Sequence, residues 1–277
     1  MKKLVIFALL ISAFVSCSKN EEDILPVSNN EEVVTLTFSP YTMEAITRSA
    51  SAISDFADRL DIWIVQGENT TTYHQVKTDN GFGSLTLALD RNKSYTLYAI
   101  ASKFSEAVTL ENGIFTFPDP NITDCFYYTT TFTPTKSSIS CTMNRVIAKF
   151  SIWMTDEIPA TVKKFVISIS ESGTKLTTSG TAAEIATRTR EFTSWSSVAS
   201  GTIFNVQVIP TSMTDKVKMT FTVTAYDAND QVVTAVTFED VDIKVDYKST
   251  YKGDFFSANS GFTFLGTPIN EYEIVEF

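Results

Sequence analysis

The chain has 277 residues, with 22 basic and 32 acidic side chains, and its net charge is −10 at neutral pH. This acidic balance argues against nucleic acid as a partner and against electrostatic adhesion to anionic lipid. The length allows one large or two ordinary domains. Aromatic residues make up 12% of the chain, and glycine and proline are few, which favours a β-rich fold over disorder.

The first residues have the three regions of a secretory signal. Two lysines precede an apolar run over residues 4–15, and Cys17 follows shortly after it. The run is shorter than the roughly 20 residues of a membrane-spanning helix, whereas the order of charged, apolar and small residues is typical of an exported protein. Signals that end at a cysteine resemble those of bacterial lipoproteins, in which the thiol is acylated after cleavage. We predict a signal peptide over 1–16, lipid attachment at Cys17 and a flexible tether over 17–32. The alternative is a simple secretory signal with Cys17 incidental.

The first predicted strand covers residues 33–38, where Val34, Leu36 and Phe38 alternate with threonines. This period of two indicates a strand with one buried face. Turn residues separate further short strand patterns, which are predicted over residues 60–65, 85–89, 95–101, 114–117 and 126–132. No segment between them has a helical period. Short strands at this spacing predict an antiparallel β-sandwich or barrel, and not alternating βαβ units.

The longest strand pattern, over residues 139–153, changes phase partway. Its apolar residues are Ile139, Cys141 and Met143 in one parity, and Val146, Ala148, Phe150 and Ile152 in the other. Such a shift turns the buried face over, so either a bulge lies near Asn144 and Arg145 or the chain leaves one core and enters a second. The second explanation is favoured, because a further set of strand patterns follows, over residues 165–169, 203–209, 217–225, 232–238, 241–245 and 251–256.

The sequence thus predicts two tandem antiparallel β-sandwich domains, over residues 33–143 and 144–277. Residues 171–200 are rich in serine, threonine and alanine without a clear period. They are predicted to form a long surface excursion.

Two cysteines follow Cys17 in the chain, Cys125 and Cys141. In an exported protein they could form a disulfide. Both lie in strand-like sequence, so two buried free thiols are an equally good interpretation.

Residues for catalysis are scarce. His74 is the only histidine, and a surface histidine without a catalytic role is the expected interpretation. Carboxylate pairs such as Glu239 and Asp240 are adjacent in sequence, and neighbours on a strand point to opposite faces. No nucleophile motif, phosphate-binding glycine loop or zinc-ligand spacing occurs. We predict no enzyme, no cofactor and no metal site.

Arg48 follows the first strand in a segment of small and polar residues. Such loop arginines are preferred sites of proteolysis. An ordinary surface arginine is the alternative.

Several short segments, taken in order, resemble the Bacteroidales fimbrillin superfamily, the fimbrial subunit lipoproteins of type V pili. They are FADRLDIWI at 56–64, YTLYAIAS at 95–102 and MNRVIAKF at 143–150, with NGFG at 80–83 and YKGDFF at 251–256 most similar to the branch of anchor and accessory subunits. The resemblance implies two transthyretin-like β-sandwich domains. It also implies that stalk subunits lose their first strand to an arginine-specific protease and are completed by a strand of the next subunit, which is β-augmentation.

Applied to this chain, the resemblance makes residues 33–38 the removable strand, Arg48 the candidate cleavage site and residues 261–277 a candidate donor segment. Anchor subunits are lipidated but not cut. Because the sequence ends only slightly past YKGDFF, we expect an anchor or accessory subunit. The expected partners are other fimbrial subunits through strand exchange and the outer membrane through lipid on Cys17, which places the protein on the cell surface.

The alternative from another class is a glycan-binding surface lipoprotein. Exposed aromatic side chains would form its binding platform, and Trp63, Trp153 and Trp195 are the candidates.

Overall fold

The computed structural model describes residues 30–41, 52–198, 201–257 and 261–269. Cys17 and Arg48 lie outside these residues. The described chain is all-β, as predicted, with one 3₁₀ turn, Ile53–Asp55, and no α-helix. Its strands are β1 (Glu31–Tyr41), β2 (Arg59–Gln66), β3 (Asn69–Val76), β4 (Ser84–Asp90), β5 (Tyr95–Ser102), β6 (Thr109–Glu111), β7 (Ile114–Thr116), β8 (Cys125–Phe132), β9 (Ser138–Arg145), β10 (Ala148–Met154), β11 (Lys164–Thr177), β12 (Ala182–Phe192), β13 (Ser197–Val198), β14 (Gly201–Val208), β15 (Val217–Tyr226), β16 (Val232–Ile243), β17 (Tyr247–Gly253) and β18 (Phe262–Pro268).

Seven strands form the first sheet, in the order β3-β2-β5-β8-β9-β1-β4. Neighbouring strands are antiparallel except β1 and β9, which run parallel. Inward side chains from six of these strands meet in one apolar cluster, so the sheet curves around its own core. The fully buried members of this first core include Val34, Leu36, Leu60, Ile62, Leu97 and Met143.

The second half of the chain builds a sandwich of two sheets. The five-stranded sheet has the order β13-β14-β10-β17-β18, and the six-stranded sheet has the order β16-β15-β11-β7-β6, with β12 paired to β11. Side chains from both sheets share one apolar cluster, the second core. At its centre Phe150 of β10 stacks on Phe221 of β15, with ring centroids 4.0 Å apart.

A third apolar cluster lies between the two halves. It joins Trp63 of β2 to Phe115 of β7 and Ile209 after β14. The β6–β7 hairpin precedes the strands of the second half in sequence, yet it pairs with β11 of that half. Strand β2 is therefore buried on both faces, with Ile62 towards the first core and Trp63 towards the third cluster.

The change of phase near Arg145 is a change of sheet. Strand β9 ends at Arg145 in the first sheet, and β10 begins at Ala148 in the five-stranded sheet. Val146 and Ile147 lie between them, buried in the third cluster. The apolar residues before Arg145 lie in the first core and those from Ala148 lie in the second, so the change of phase is a passage between two cores and not a bulge within one strand.

The predicted surface excursion over residues 171–200 is largely regular strand. Strand β11 continues to Thr177 and pairs with the long strand β12 in a hairpin. Most side chains of β12 are exposed or half-buried. Strand β12 therefore lacks the alternation of apolar and polar residues by which a strand is identified in the sequence. The patterns at 232–238 and 241–245 are likewise one strand, β16, whose pairing with β15 contains register shifts.

Candidate strand-exchange site

Strand β1 occupies an inner position of the first sheet. It pairs parallel with β9 from Thr35 to Tyr41 and antiparallel with β4 from Glu31 to Thr37. Over Thr35–Thr37 the strand is therefore hydrogen-bonded on both edges. Removing it would separate β9 from β4, leaving an unpaired edge on β9 and the edge strand β4 without its partner.

The alternation seen in the sequence decides which face of β1 is buried. Val34 and Leu36 are inaccessible to solvent and Phe38 is almost so, whereas Thr35 and Thr37 lie on the outer face. Thr35 Oγ1 is 3.0 Å from Thr86 Oγ1 of β4 on that outer face. The three inward side chains form one continuous apolar ridge along the strand.

We call the channel that holds this ridge the β1 groove. Its walls are Cys141 and Met143 of β9 and Leu85 and Leu87 of β4, and Ile53 of the 3₁₀ turn closes one end. Register pairs Phe38 with Cys141, Leu36 with Leu85, and Val34 with Leu87. Every wall residue except the half-buried Leu85 is at least nine-tenths buried while β1 is in place.

Gly83 shapes the closed end of the β1 groove. Its φ angle is +88°, and a Cβ atom there would lie 2.5 Å from Cγ2 of Ile53. Only glycine accommodates both the left-handed backbone and this close approach. The carbonyl of Gly83 accepts a hydrogen bond of 2.8 Å from the Phe38 N–H. The NGFG turn noted in the sequence thus holds the end of β1.

Polar contacts hold the start of β1. Arg91, just after β4, donates from Nη2 to the Glu31 carbonyl at 3.2 Å and to Glu32 Oε2 at 3.1 Å. The Arg91 N–H also donates to the carbonyl of Asn30 at 2.9 Å. These contacts are exposed, so they set the register of the strand more than they stabilise it.

Burial energies show how much the fold depends on β1. Fully burying Val34, Leu36 and Phe38 contributes about 1.5–3 kcal/mol each, or roughly 5–9 kcal/mol together. The entire free energy of unfolding of a domain is about 5–15 kcal/mol. Removing β1 would therefore cost the first half of the chain an amount comparable with the whole stability of a domain.

Cys125 and Cys141 are free thiols in the structure, so the disulfide alternative is not realised. Cys141 lies in the first core and Cys125 in the third cluster, on the other face of the sheet. The pairing of Phe126 with Arg145 places the two cysteines five residue positions apart along adjacent strands, which is about 16 Å at 3.3 Å per residue. A disulfide needs Cα atoms within about 7 Å. Burial raises the pKa of both thiols, that of Cys141 to about 12.

Arg145 links the two halves of the chain, which the sequence did not reveal. Its almost fully buried guanidinium donates to both carboxylate oxygens of Asp124, at 2.8 and 3.0 Å, and to Asp246. Desolvation raises the pKa of Asp246 although Arg145 opposes the shift. Asp246 lies 101 residues from Arg145 in the chain, so no local pattern could have indicated this contact.

His74 is not an isolated surface histidine. Its Nδ1 atom is 2.6 Å from Oδ1 of Asp61, a carboxylate that is completely buried. Arg59 donates to the same oxygen at 2.8 Å, and the Val108 N–H donates to the other oxygen at 3.0 Å. Asp61 thereby ties β2, β3 and the segment before β6 together, which is a structural role.

The three tryptophans do not form an exposed platform. Trp63 is buried against Phe115, since both faces of β2 are covered, so it is not part of an exposed surface. Trp153 is covered by Lys252, whose Nζ is 3.7 Å from the ring centroid. Trp195 packs edge-on against Phe165 of the second core.

Within the described residues, no three or more His, Cys, Asp or Glu side chains are grouped so as to hold a metal ion. No helix in that part of the chain is long and apolar enough to cross a membrane.

Solved structures with a similar fold include candidate adhesins of Bacteroides species. A candidate adhesin from Bacteroides thetaiotaomicron matches with a TM-score of 0.56 and 12% identity, covering 90% of this chain and 100% of its own. A candidate polysaccharide-binding protein from the same species has a TM-score of 0.53 and 10% identity, with coverage of 87% and 99%. A more distant likeness is to the fimbrial anchor protein Mfa2 from Porphyromonas gingivalis, with a TM-score of 0.48, 11% identity and coverage of 86% and 98%.

At these identities the first two likenesses establish the fold over most of the chain. No family model and no curated protein sequence matches the chain.

Proposed function

We propose that the chain is a surface-anchored fimbrial subunit of the anchor or accessory kind. In this proposal lipid on Cys17 holds it in the outer membrane, and it joins other fimbrial subunits by strand exchange and contributes to cell adhesion. The observation that carries the proposal is the inner position of β1, which fills an apolar groove between β9 and β4. The adhesin described above, which has the same fold, supports a location on the cell surface.

The order of residues along the chain connects anchoring with assembly. Cys17 and β1 both precede Arg48. Cleavage after Arg48 would therefore release the lipid and the strand together and leave the β1 groove for an apolar strand of another subunit. Without cleavage, the groove stays filled and the chain stays on its membrane.

Strand β18 supports the anchor form. Residues 261–277 are the candidate donor segment, and the described part of it, Phe262–Pro268, is paired with β17 in the chain's own sheet. Its outer edge has no partner strand among the described residues, and Phe264 and Leu265 are exposed. This edge is a suitable place for a neighbouring subunit to add a strand without any cleavage.

The test is the intact mass and N-terminal sequence of the protein taken from the surface of cells that make pili. A chain that starts at acylated Cys17 and co-purifies with other fimbrial subunits is the expected result. A start at Ser49 would identify a processed stalk subunit and contradict the anchor assignment. A free monomer, unlinked to any fimbrial subunit, would contradict the whole proposal. The Arg48→Gln variant is the control, because it abolishes processing at that position without touching Cys17 or β1.

A further inference from the structure

A polar cavity lies where the two halves of the chain meet. Its volume is about 380 Å³. Lys103, which follows β5, and residues 121–124, which precede β8, come from the first half, and strands β10, β11, β12 and β14 supply most of the remainder. None of the lining residues belongs to β1, β4 or β9, so the cavity is independent of the β1 groove.

The charge of this cavity is opposite to that of the protein. Four basic side chains line it, those of Lys103, Lys149, Arg188 and Arg190, against one acidic side chain, Asp124. Asp124 is held by two nitrogens of Arg145, so part of its charge is offset by that guanidinium, which it shares with Asp246. Across the whole chain, by contrast, acidic residues outnumber basic residues 32 to 22. A cationic cavity in an acidic protein points to an anionic ligand.

Arg188 is the most unusual of these residues. It is about nine-tenths buried, and its hydrogen bonds go to neutral acceptors: Ser172 Oγ at 3.2 Å, the Gln207 carbonyl at 2.9 Å and the Pro120 carbonyl. Loss of solvent lowers the pKa of its guanidinium to about 10. A guanidinium has five N–H groups, and these three bonds leave two of them for a ligand.

We infer that this cavity is a binding site for the carboxylate of a small acidic saccharide, such as a hexuronic acid. A guanidinium matches a planar carboxylate in two parallel hydrogen bonds and is stabilised by the charge. Asn121, Thr123, Thr189 and Gln207 also line the cavity and offer partners for sugar hydroxyls. The volume lies within the range of small-molecule sites, about 300–1,000 Å³.

Carboxylates of the chain itself are a second source of the same chemistry. Glu271, Glu273 and Glu276 follow shortly after Ile269 in the sequence, and Ile269 lines the cavity. The experiment must therefore separate an external carboxylate from these internal ones.

The test is calorimetric titration of the purified chain with digalacturonate, and with galactobiose as the uncharged match. We expect digalacturonate to bind at least about tenfold more tightly, and the difference to shrink at high salt. Arg188→Gln and Arg190→Gln should each weaken binding by about tenfold or more. Lys93→Gln, which removes an exposed charge from the turn between β4 and β5, should leave it unchanged.

Arg188 also supports the fold through its hydrogen bonds, and Arg188→Gln could fail to fold for that reason. Arg190→Gln changes a half-buried residue at the same cavity and then provides the test on its own. A triple variant, Glu271→Gln, Glu273→Gln and Glu276→Gln, distinguishes the sources. Digalacturonate binding by the unmodified chain identifies an external ligand, and binding by the triple variant alone identifies the chain's own glutamates as the occupant of the carboxylate site. Failure of both proteins to bind, equal binding of galactobiose, or binding that Arg190→Gln does not weaken would overturn the inference. None of these outcomes depends on strand exchange, because each is measured on the isolated chain.

Discussion

Strands β1 and β17 hold equivalent places in the two halves of the molecule. Each runs parallel to one neighbour, β9 or β10, and antiparallel to another, β4 or β18. Their side chains differ, since β1 buries an apolar ridge while Lys248, Ser249 and Thr250 are the buried residues of β17. Similar backbone pairing therefore supports two strands with different chemistry.

The connections of the two strands differ as well. Only three residues separate β16 from β17, and the turn is closed by a hydrogen bond from the Tyr247 N–H to the Lys244 carbonyl. Asp246 in this turn is bound to Arg145. Strand β1, in contrast, is followed by ten residues, 42–51, that include Arg48. Under the proposed function, an inner strand suits exchange when its connection contains a candidate cleavage site and its buried face is apolar, and of these two strands only β1 has both features.

The largest expected effect comes from the ion pairs of Arg145 with Asp124 and with Asp246, which lies in the turn before β17. Arg145→Gln leaves Asp124 and Asp246 without their cation, so the free energy of unfolding should fall by about 3–5 kcal/mol. Chemical denaturation measures this change. Arg91→Gln, which breaks the exposed pair with Glu32 at the start of β1, is the matched control and should cost no more than about 1 kcal/mol. Equal decreases in the free energy of unfolding of the two variants would show that the Arg145 ion pairs stabilise the chain no more than the exposed pair at β1 does.

A somewhat smaller effect is expected from the apolar ridge of β1. Leu36→Ala removes a completely buried side chain, and such changes cost about 2–5 kcal/mol. Leu265→Ala on the edge strand β18, where the side chain is 42% exposed, should cost less than about 1 kcal/mol. Denaturation midpoints at constant slope measure both. A loss at Leu36 as small as that at Leu265 would mean that β1 does not support the first core.

The smallest expected effect is a change in the reactivity of one thiol, that of Cys141. It reports specifically on the β1 groove, because Cys141 lies directly opposite Phe38. In a Cys17→Ser background, both remaining thiols should react slowly with a maleimide probe, since burial raises their pKa values. The chain is then cleaved at Arg48 and mixed with an excess of a peptide with the sequence of residues 30–41, which displaces β1. During this exchange Cys141 should react about tenfold faster or more, whereas the reaction rate of Cys125 should not change.

Mass spectrometry of the labelled peptides measures the two cysteines separately. The same peptide with aspartate in place of Val34 and Leu36 is the control, because it cannot fill an apolar groove, and it should leave Cys141 protected. Equal labelling of Cys125 and Cys141 would indicate general unfolding and would contradict strand exchange at the β1 groove.

Much of the local structure could be predicted from the sequence, because alternation of apolar and polar residues is a local property. It identified β1, β5, β8 and β15 and the change of core at Arg145. It failed for β3 and β12, whose exposed threonines and other polar or charged residues carry no apolar period of two. Lipidation of Cys17 and cleavage at Arg48 rest on sequence alone and stay predictions.

The tertiary structure decided which strands are neighbours, and therefore which residues form the β1 groove. The alternation of Val34, Leu36 and Phe38 determined that β1 has one buried face, but only the fold placed it between β4 and β9, strands that lie about 50 and 100 residues further along the chain, respectively. Strand register likewise separated Cys125 from Cys141, brought Asp124 and Asp246 to Arg145, and buried Arg188 beside a cationic cavity. Local sequence sets which face of a strand is apolar, whereas pairing over long separations depends on how whole faces pack together, and that information is spread over the entire chain.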